Sequence, residues 1–334
     1  MVRRSGRLVR RAGEGQLDLL VALPGDIPTH DQQDMMERPF FSLSKQRRIE
    51  PIDYQVQNGS TTISVNVTAP AEIGLATIWD ADILIWAASQ LREAKARGIE
   101  PSPTFKVSLY ELLRGIDRRT GGDEYQRIVE AFERLSGTLI RTNIRQGKRK
   151  KPEGFHWIER YAAPTDDQGR PDGIEFTISD WLYEGILTDR LTLTIDREYF
   201  SLTGGIERWL YRVVRKHGGH QSGGWAFTMT QLHMKSGSTQ RLADFAKELR
   251  RTIERQRLPG YWLQILRNSE GQEVLHFTER CQLPINHQEF SPRRLSRTSI
   301  GSFSPATTAR GQNHDSEAGR EEVATAPVGQ PVDM

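Results

Sequence analysis

The 334-residue sequence predicts an α+β chain in which one structural unit occurs twice between disordered tails. Three observations carry that prediction. Residues 126–135, "QRIVEAFERL", echo residues 240–249, "QRLADFAKEL", at an offset of 114 residues, about the length of a small domain. A short, capped helical pattern precedes each copy, and an alternating strand–turn–strand pattern follows each.

The elements can be justified in order. An amphipathic helix is expected at roughly 80–97 and a second over "GIERWLYRVVRKH", with Ile206, Trp209, Leu210 and Val213 on one side. Each leads to a short helix opened by a capping box, Ser108 with Glu111 and Thr228 with Gln231. A Gly-containing turn follows, "DRRTGGD" in the first unit and the shorter "SGS" in the second. In the long helices Ile128 aligns with Leu242, Ala131-Phe132 with Phe245-Ala246, and Leu135 with Leu249. This spacing gives each helix one buried stripe, so Leu242, Phe245, Ala246, Leu249 and Ile253 are expected in the core. In the second unit "YWLQIL", the turn "RNSEG" and "EVLHFT" form a hairpin. In the first, "TLIRTNIR" and "FHWIERY" flank the basic loop "QGKRKKPEG", "GIEFTIS" completes the unit, and "DRLTLTIDREYFSL" leads into the second.

Helix, short helix, turn, long helix and hairpin is the order of a winged helix-turn-helix. The fold class expected is therefore two tandem winged helix-turn-helix domains with disordered N- and C-terminal tails. Residues 1–36 form a basic tail, 37–188 the first domain, 189–284 the second, and 285–334 the second tail. The C-terminal stretch is rich in Ser, Thr, Gly and Pro and too poor in apolar residues to offset its ordering entropy.

Composition excludes several classes. The single cysteine, Cys281, leaves no disulfide framework and no Cys-based zinc site, which suits a reducing cytoplasm. No stretch approaches the roughly 18 apolar residues needed to span a membrane. His217 and His220 flank two glycines without a carboxylate nearby in sequence and read as loop residues. No GxxxxGK[ST] loop, GxSxG elbow or His-hydrophobic-His pair occurs, so the chain is expected to bind rather than catalyse, without cofactor or metal.

The net charge is only +3, so any affinity for nucleic acid must come from local clustering. From Gly205 to Arg257 eleven basic residues face four acids, an excess of +7. Such an excess suits phosphate neutralisation. The second helix of a helix-turn-helix enters the major groove with its N-terminal residues on base edges. Lys235, Ser236, Ser238, Thr239, Gln240 and Arg241 cluster there, with Gln240 suited to adenine and Arg241 to guanine. Arg212, Lys216, Lys247 and Arg251 are the phosphate candidates. The long helix of the first unit instead carries Asp123, Glu124, Glu130 and Glu133 against Arg127 and Arg134, which suits protein contacts better than DNA. Its hairpin tip holds Lys148, Arg149, Lys150 and Lys151, expected to touch DNA backbone or a minor groove, with a solvated loop as the alternative.

Several longer stretches carry a family likeness: "FFSLSKQRR", "GLATIWDADILIWAASQL", "TGGDEYQRI", "LTGGIERWLYRVVRKHGG", and "HMKSGS" followed by "LPGYWL". From about Arg38 to Arg280 the sequence resembles the plasmid replication initiator protein A family. The resemblance implies binding to repeated sites in double-stranded plasmid origin DNA, melting of adjacent A·T-rich DNA, and recruitment of the host initiator and replicative helicase machinery. It also implies a homodimer in equilibrium with a monomer, with dimers often repressing their own gene. The C-terminal domain would be the stronger DNA reader, and the N-terminal one would mediate dimerisation and auxiliary DNA contact. A winged-helix transcriptional repressor without an initiator role is the competing reading.

Overall fold

A computed structural model describes residues 19–59, 61–145, 153–163, 173–219 and 223–292. The chain starts with β1 (Leu19–Val21), β2 (His30–Gln32) and α1 (Gln33–Glu37), followed by the antiparallel strands β3 (Ile52–Asn58) and β4 (Thr61–Thr68). The first unit then runs through α2 (Ala81–Ala96), β5 (Thr104–Val107), α3 (Leu109–Gly115) and α4 (Gly122–Gly137). β6 (Leu139–Thr142) and β7 (Glu153–His156) precede β8 (Ile158–Ala162) and β9 (Ile174–Ile178). α5 (Asp180–Leu187) and β10 (Thr192–Thr194) lead to α6 (Gly205–His217). The second unit closes with β11 (Trp225–Thr228), α7 (Met229–Ser236), α8 (Leu242–Glu254), β12 (Tyr261–Arg267) and β13 (Glu273–Glu279).

The echo in sequence is an echo in topology. Each unit contributes a strand, two helices and two further strands, and in each sheet the third strand lies between the other two. The orders are β5-β9-β8, extended by β1 on the outside of β5, and β11-β13-β12. Both short helices carry the expected capping boxes: Ser108 Oγ and Thr228 Oγ1 accept from the backbone N–H of Glu111 and Gln231, whose side chains accept in return. The packed stripes are Ile128, Ala131, Phe132 and Leu135 on α4, and Phe245, Ala246, Leu249 and Ile253 on α8. Trp209 of α6 meets the Phe245 ring edge-on at 5.9 Å, which seats α8 on α6.

Two expectations change. First, residues 19–36 are not a tail. β1 pairs parallel to β5, β2 pairs with β10, and Asp31, Gln32, Met35 and Met36 are buried. Of its acids, Asp31 pairs with the buried Arg212, and Asp34 pairs with Arg38 and Arg145. Residues 285–292 likewise fold back, through the Trp262–His287 ring contact at 4.8 Å and the Arg280–Glu289 ion pair.

Second, the basic loop does not join the hairpin of the first unit. Its flanking strands β6 and β7 belong to a separate sheet, β3-β4-β6-β7, and the unit's own hairpin is β8–β9. The edge of β4 decides this, because Val67 and Val65 align with Ile140 and Thr142 and one buried face is continued. The β3–β4 pair itself carried a readable signal outside the repeated unit, Gly59-Ser60 between alternating stretches. α5, for which the sequence reading has no element, adds Trp181 to a buried aromatic group with Phe155, Trp157 and Phe40, the first residue of "FFSLSKQRR".

Candidate nucleic-acid interface

The second helix-turn-helix is built by local rules. α7 ends at Gly237, whose φ of +59° is the left-handed cap that favours glycine. Ser236 Oγ donates to His233 O at 2.6 Å and accepts from Ser238 N at 3.1 Å, which folds the turn on itself. Ser238 Oγ accepts from Gln240 N at 3.2 Å, and the His233 ring contacts Gln240 O at 2.8 Å. α8 then starts at Leu242, with Arg241 in extended backbone at its N-cap.

Helical spacing directs Asp244, Lys247 and Arg251 outward, opposite the buried stripe, and all three are exposed. Thr239, Gln240 and Arg241 are exposed just ahead of them. Arg241 Nε donates to Asp244 at 3.0 Å with the guanidinium side chain 88% exposed, and Gln240 Nε2 donates to Glu248 at 2.9 Å. Arg250 reaches Glu273 on the hairpin at 2.5 Å. A cleft of about 390 Å³ separates α8 from the start of α6 and is lined by Lys247, Arg251 and Arg255 together with Glu207, Asp244 and Glu248.

Other cations of the segment are spent inside the molecule. Arg212, which the sequence offered as a phosphate contact, is 1% exposed and forks onto Asp31 at 2.6 and 3.0 Å. Arg208 donates to Asp82 at 2.6 Å and to the carbonyls of Phe200 and Leu202. Lys235 is buried, donates to Glu37 at 3.2 Å and lies over the Phe227 ring. Ser236 is 1% exposed and engaged in the turn. Arg212, Lys235 and Ser236 are therefore corrected: burial and internal partners remove them from any surface that meets DNA. Lys216 is half-buried beside Glu37 and His217, and Ser238 is half-buried in the turn. Lys148, Arg149, Lys150 and Lys151 lie outside the described residues.

The acids that take these cations come from the first part of the chain, so the excess of +7 is partly an inter-unit adhesive. Around Glu37 burial pushes the carboxyl up, but Arg38, Lys235 and Lys216 outweigh it and hold the group at about 2. His217 belongs to this cluster and is not a loop residue. It ends α6, stacks near Trp225, and burial pushes its pKa down to about 3. Its 3.8 Å approach to Glu37 is thus a contact of a neutral ring, not an ion pair. The turn is seated here too: Arg48 Nη1 donates to Gly237 O at 2.7 Å, and a Cβ on Gly237 would stand 2.6 Å from Pro39 Cβ. The next helix start is equally close, since a Cβ on Gly205 would overlap Leu43 O at 1.9 Å.

Two features escaped the sequence. Leu242, expected in the core, is 41% exposed, because α8 begins at that residue and no earlier turn covers it. Arg255 stands at the cleft with the interface cations, and its position on the helical wheel beside Arg251 could have placed it. Among the described residues no group of three or more potential ligands could hold a metal, and no helix is long and apolar enough to cross a membrane.

Known proteins give this geometry a family. Residues 30–263 match replication initiator protein A. A candidate replication protein of Wigglesworthia glossinidia brevipalpis is 30% identical over 250 residues, which is 73% of this chain and 86% of that protein. The fold is similar to the crystal structure of domains 2 and 3 of RctB, at a TM-score of 0.52 and 14% identity, covering 73% of this chain and 96% of that one. The family match spans more than half of the chain and includes both helix-turn-helix units as far as the first strand of the second hairpin, and on it the chain belongs to the replication initiator protein A family.

Proposed function

We propose that this replication initiator works as two tandem winged-helix domains and binds repeated sites in double-stranded plasmid origin DNA through α8. One observation carries the reading. Directly after a turn locked against the rest of the protein, α8 presents Lys247 and Arg251 outward behind exposed Thr239, Gln240 and Arg241. That is a phosphate-binding face with base-reading side chains at its N-terminal end. The outward residues of α4 include Asp123 and Glu133, which favours protein contacts for the first domain, with dimerisation in equilibrium with the monomer as its task. Origin melting, recruitment of host initiator and helicase machinery, and autorepression complete the reading, on the strength of family membership. The protein acts in the bacterial cytoplasm, on plasmid DNA, as a binder rather than an enzyme.

The test places the gene and its flanking plasmid DNA on a replicon lacking an origin, with footprinting of the same DNA by purified protein. Replication together with protection of several repeats is expected. Protection of a single operator without replication would leave a repressor.

A further inference from the structure

Residues 40–48, "FFSLSKQRR", run between the two units. Near one end the Leu43 carbonyl lies against Gly205, where a Cβ would stand 1.9 Å from it, and the adjoining Gly204 lines the cleft with Lys247 and Arg251. At the other end Arg48 Nη1 donates to Gly237 O at 2.7 Å, in the turn just ahead of α8. The residues between, Ser44 to Arg47, are exposed. The segment is also fixed on the first unit, by the Ser42–Thr77 bridge and by Leu75 N donating to Arg48 O at 2.8 Å. It therefore borders α8 both at the turn before the helix and at the cleft beside it, on a rigid support.

Two of its cations are held without being neutralised. Lys45 Nζ stands 5.1 Å over the Trp79 ring, and Trp79 itself comes within 3.1 Å of the Gly205 Cβ position. Arg47 lies along Gly74 and donates to the Glu72 carbonyl at 2.9 Å, not to its carboxylate. Among the described residues neither is ion-paired, unlike Arg208, Arg212 and Lys235. Glu50 is the only acid of residues 44–50 against Lys45, Arg47 and Arg48, which leaves +2. A ring face and a backbone carbonyl orient a cation but leave its charge, and most of its N–H donors, for an anion. Continuity with α8 makes that anion a DNA phosphate. A duplex carries one charge per roughly 1.7 Å of axis, so phosphates flank any base pairs that α8 reads.

Resting on the assignment of α8 to DNA, we propose that Lys45 and Arg47 bind backbone phosphates beside the base pairs read by α8, with Arg48 as the positioning residue that ties them to the turn. Such contacts set the register of the duplex and carry no sequence information. They belong to the α8 site itself and need no DNA contact by α4.

The experiment uses the full chain, a duplex that it selects from a randomised pool, and a random duplex, over a range of salt concentrations. Lys45→Gln with Arg47→Gln should weaken binding to both duplexes alike and leave base preference unchanged. Each lost phosphate should lower the salt slope by about 0.9 and cost roughly eight-fold in affinity at 0.1 M salt. Lys45→Arg with Arg47→Lys keeps both charges and should restore most of the affinity, with thermal unfolding showing that both variants are folded. Ethylating single phosphates should weaken wild type at positions where the glutamine variant is indifferent. An unchanged salt slope, a shifted base preference, or a charge-retaining variant as weak as the glutamine one would overturn the proposal. Wild-type DNA binding with lost plasmid replication would overturn it too, and would point to an acidic protein partner. Failure of the underlying reading looks different and removes this one with it: no duplex is selected, or Lys247→Ala and Arg251→Ala bind as wild type does.

Discussion

The helix-turn-helix of the first unit, α3 with α4, and that of the second, α7 with α8, share capping boxes, strand order and most of a buried stripe, but differ in what surrounds the turn. The first turn carries Asp117 in the left-handed region and leaves Arg119 to Gly122 exposed. The second is short and pressed against Pro39 and Arg48, with Ser236 buried. A single scaffold thus occurs in two settings. Where the turn is open, the long helix carries an acidic balance; where it is clamped, the helix is held rigid at a fixed place and carries cations outward.

The clamp also explains why charge alone misleads. Arg208, Arg212 and Lys235 count toward the basic excess, yet each ends on an acid from the first part of the chain. The comparison can be broken most forcefully there. Asp31→Ala leaves the Arg212 guanidinium buried without its carboxylate and should cost about 3–5 kcal/mol in urea unfolding. A loss within error of an exposed substitution would mean that the pair does not hold the units together.

The interface comes next. Arg241→Ala should cost roughly 1–3 kcal/mol of specific affinity and relax preference at one base pair. Quantitative binding to selected and random duplexes decides it, and unchanged sequence preference would sink the base-reading role. Gly237→Ala forces a side chain into a left-handed position facing Pro39, and should lower stability by about 1–2 kcal/mol while the analogous change at the open Gly121 is nearly neutral. Thermal unfolding of both variants sharpens the contrast between the turns.

Acid should loosen the clamp before it touches α8. His217 is neutral in the fold, with a pKa of about 3 against 6.5 in the unfolded chain, so the unfolded state takes the extra proton between those values. Stability therefore falls from pH 6.5 downward, by up to about 1.4 kcal/mol per pH unit from this residue. Glu37 adds to the loss below 4.5, since its carboxylate is held at about 2 in the fold. Unfolding midpoints of His217→Phe between pH 7 and 5 should be flatter than those of wild type. The smallest effect is expected for Arg251→Ala, which should weaken all duplexes alike and reduce the salt slope by about one unit.

Much of this was written along the chain, because helical stripes, capping boxes and a turn glycine are local and speak through spacing. The repeat, α6, α7, the hairpin β12–β13 and the outward placement of Lys247 and Arg251 follow from such patterns. The family likeness adds what local pattern lacks, a role in replication. Other features depended on residues far apart in sequence. Asp31 meets Arg212 across 181 positions and Arg48 meets Gly237 across 189, so neither partner could be read from its own neighbourhood. The same holds for β6, which joins β4 rather than the unit that contains it, and for Leu242, whose exposure depends on the residue at which α8 starts. Sequence by itself determined the two units and the acidic balance of α4, since both depend on residues within a few turns. Only the tertiary structure decided which cations remain at the surface, because a buried charge must be paired and its partner is chosen by packing.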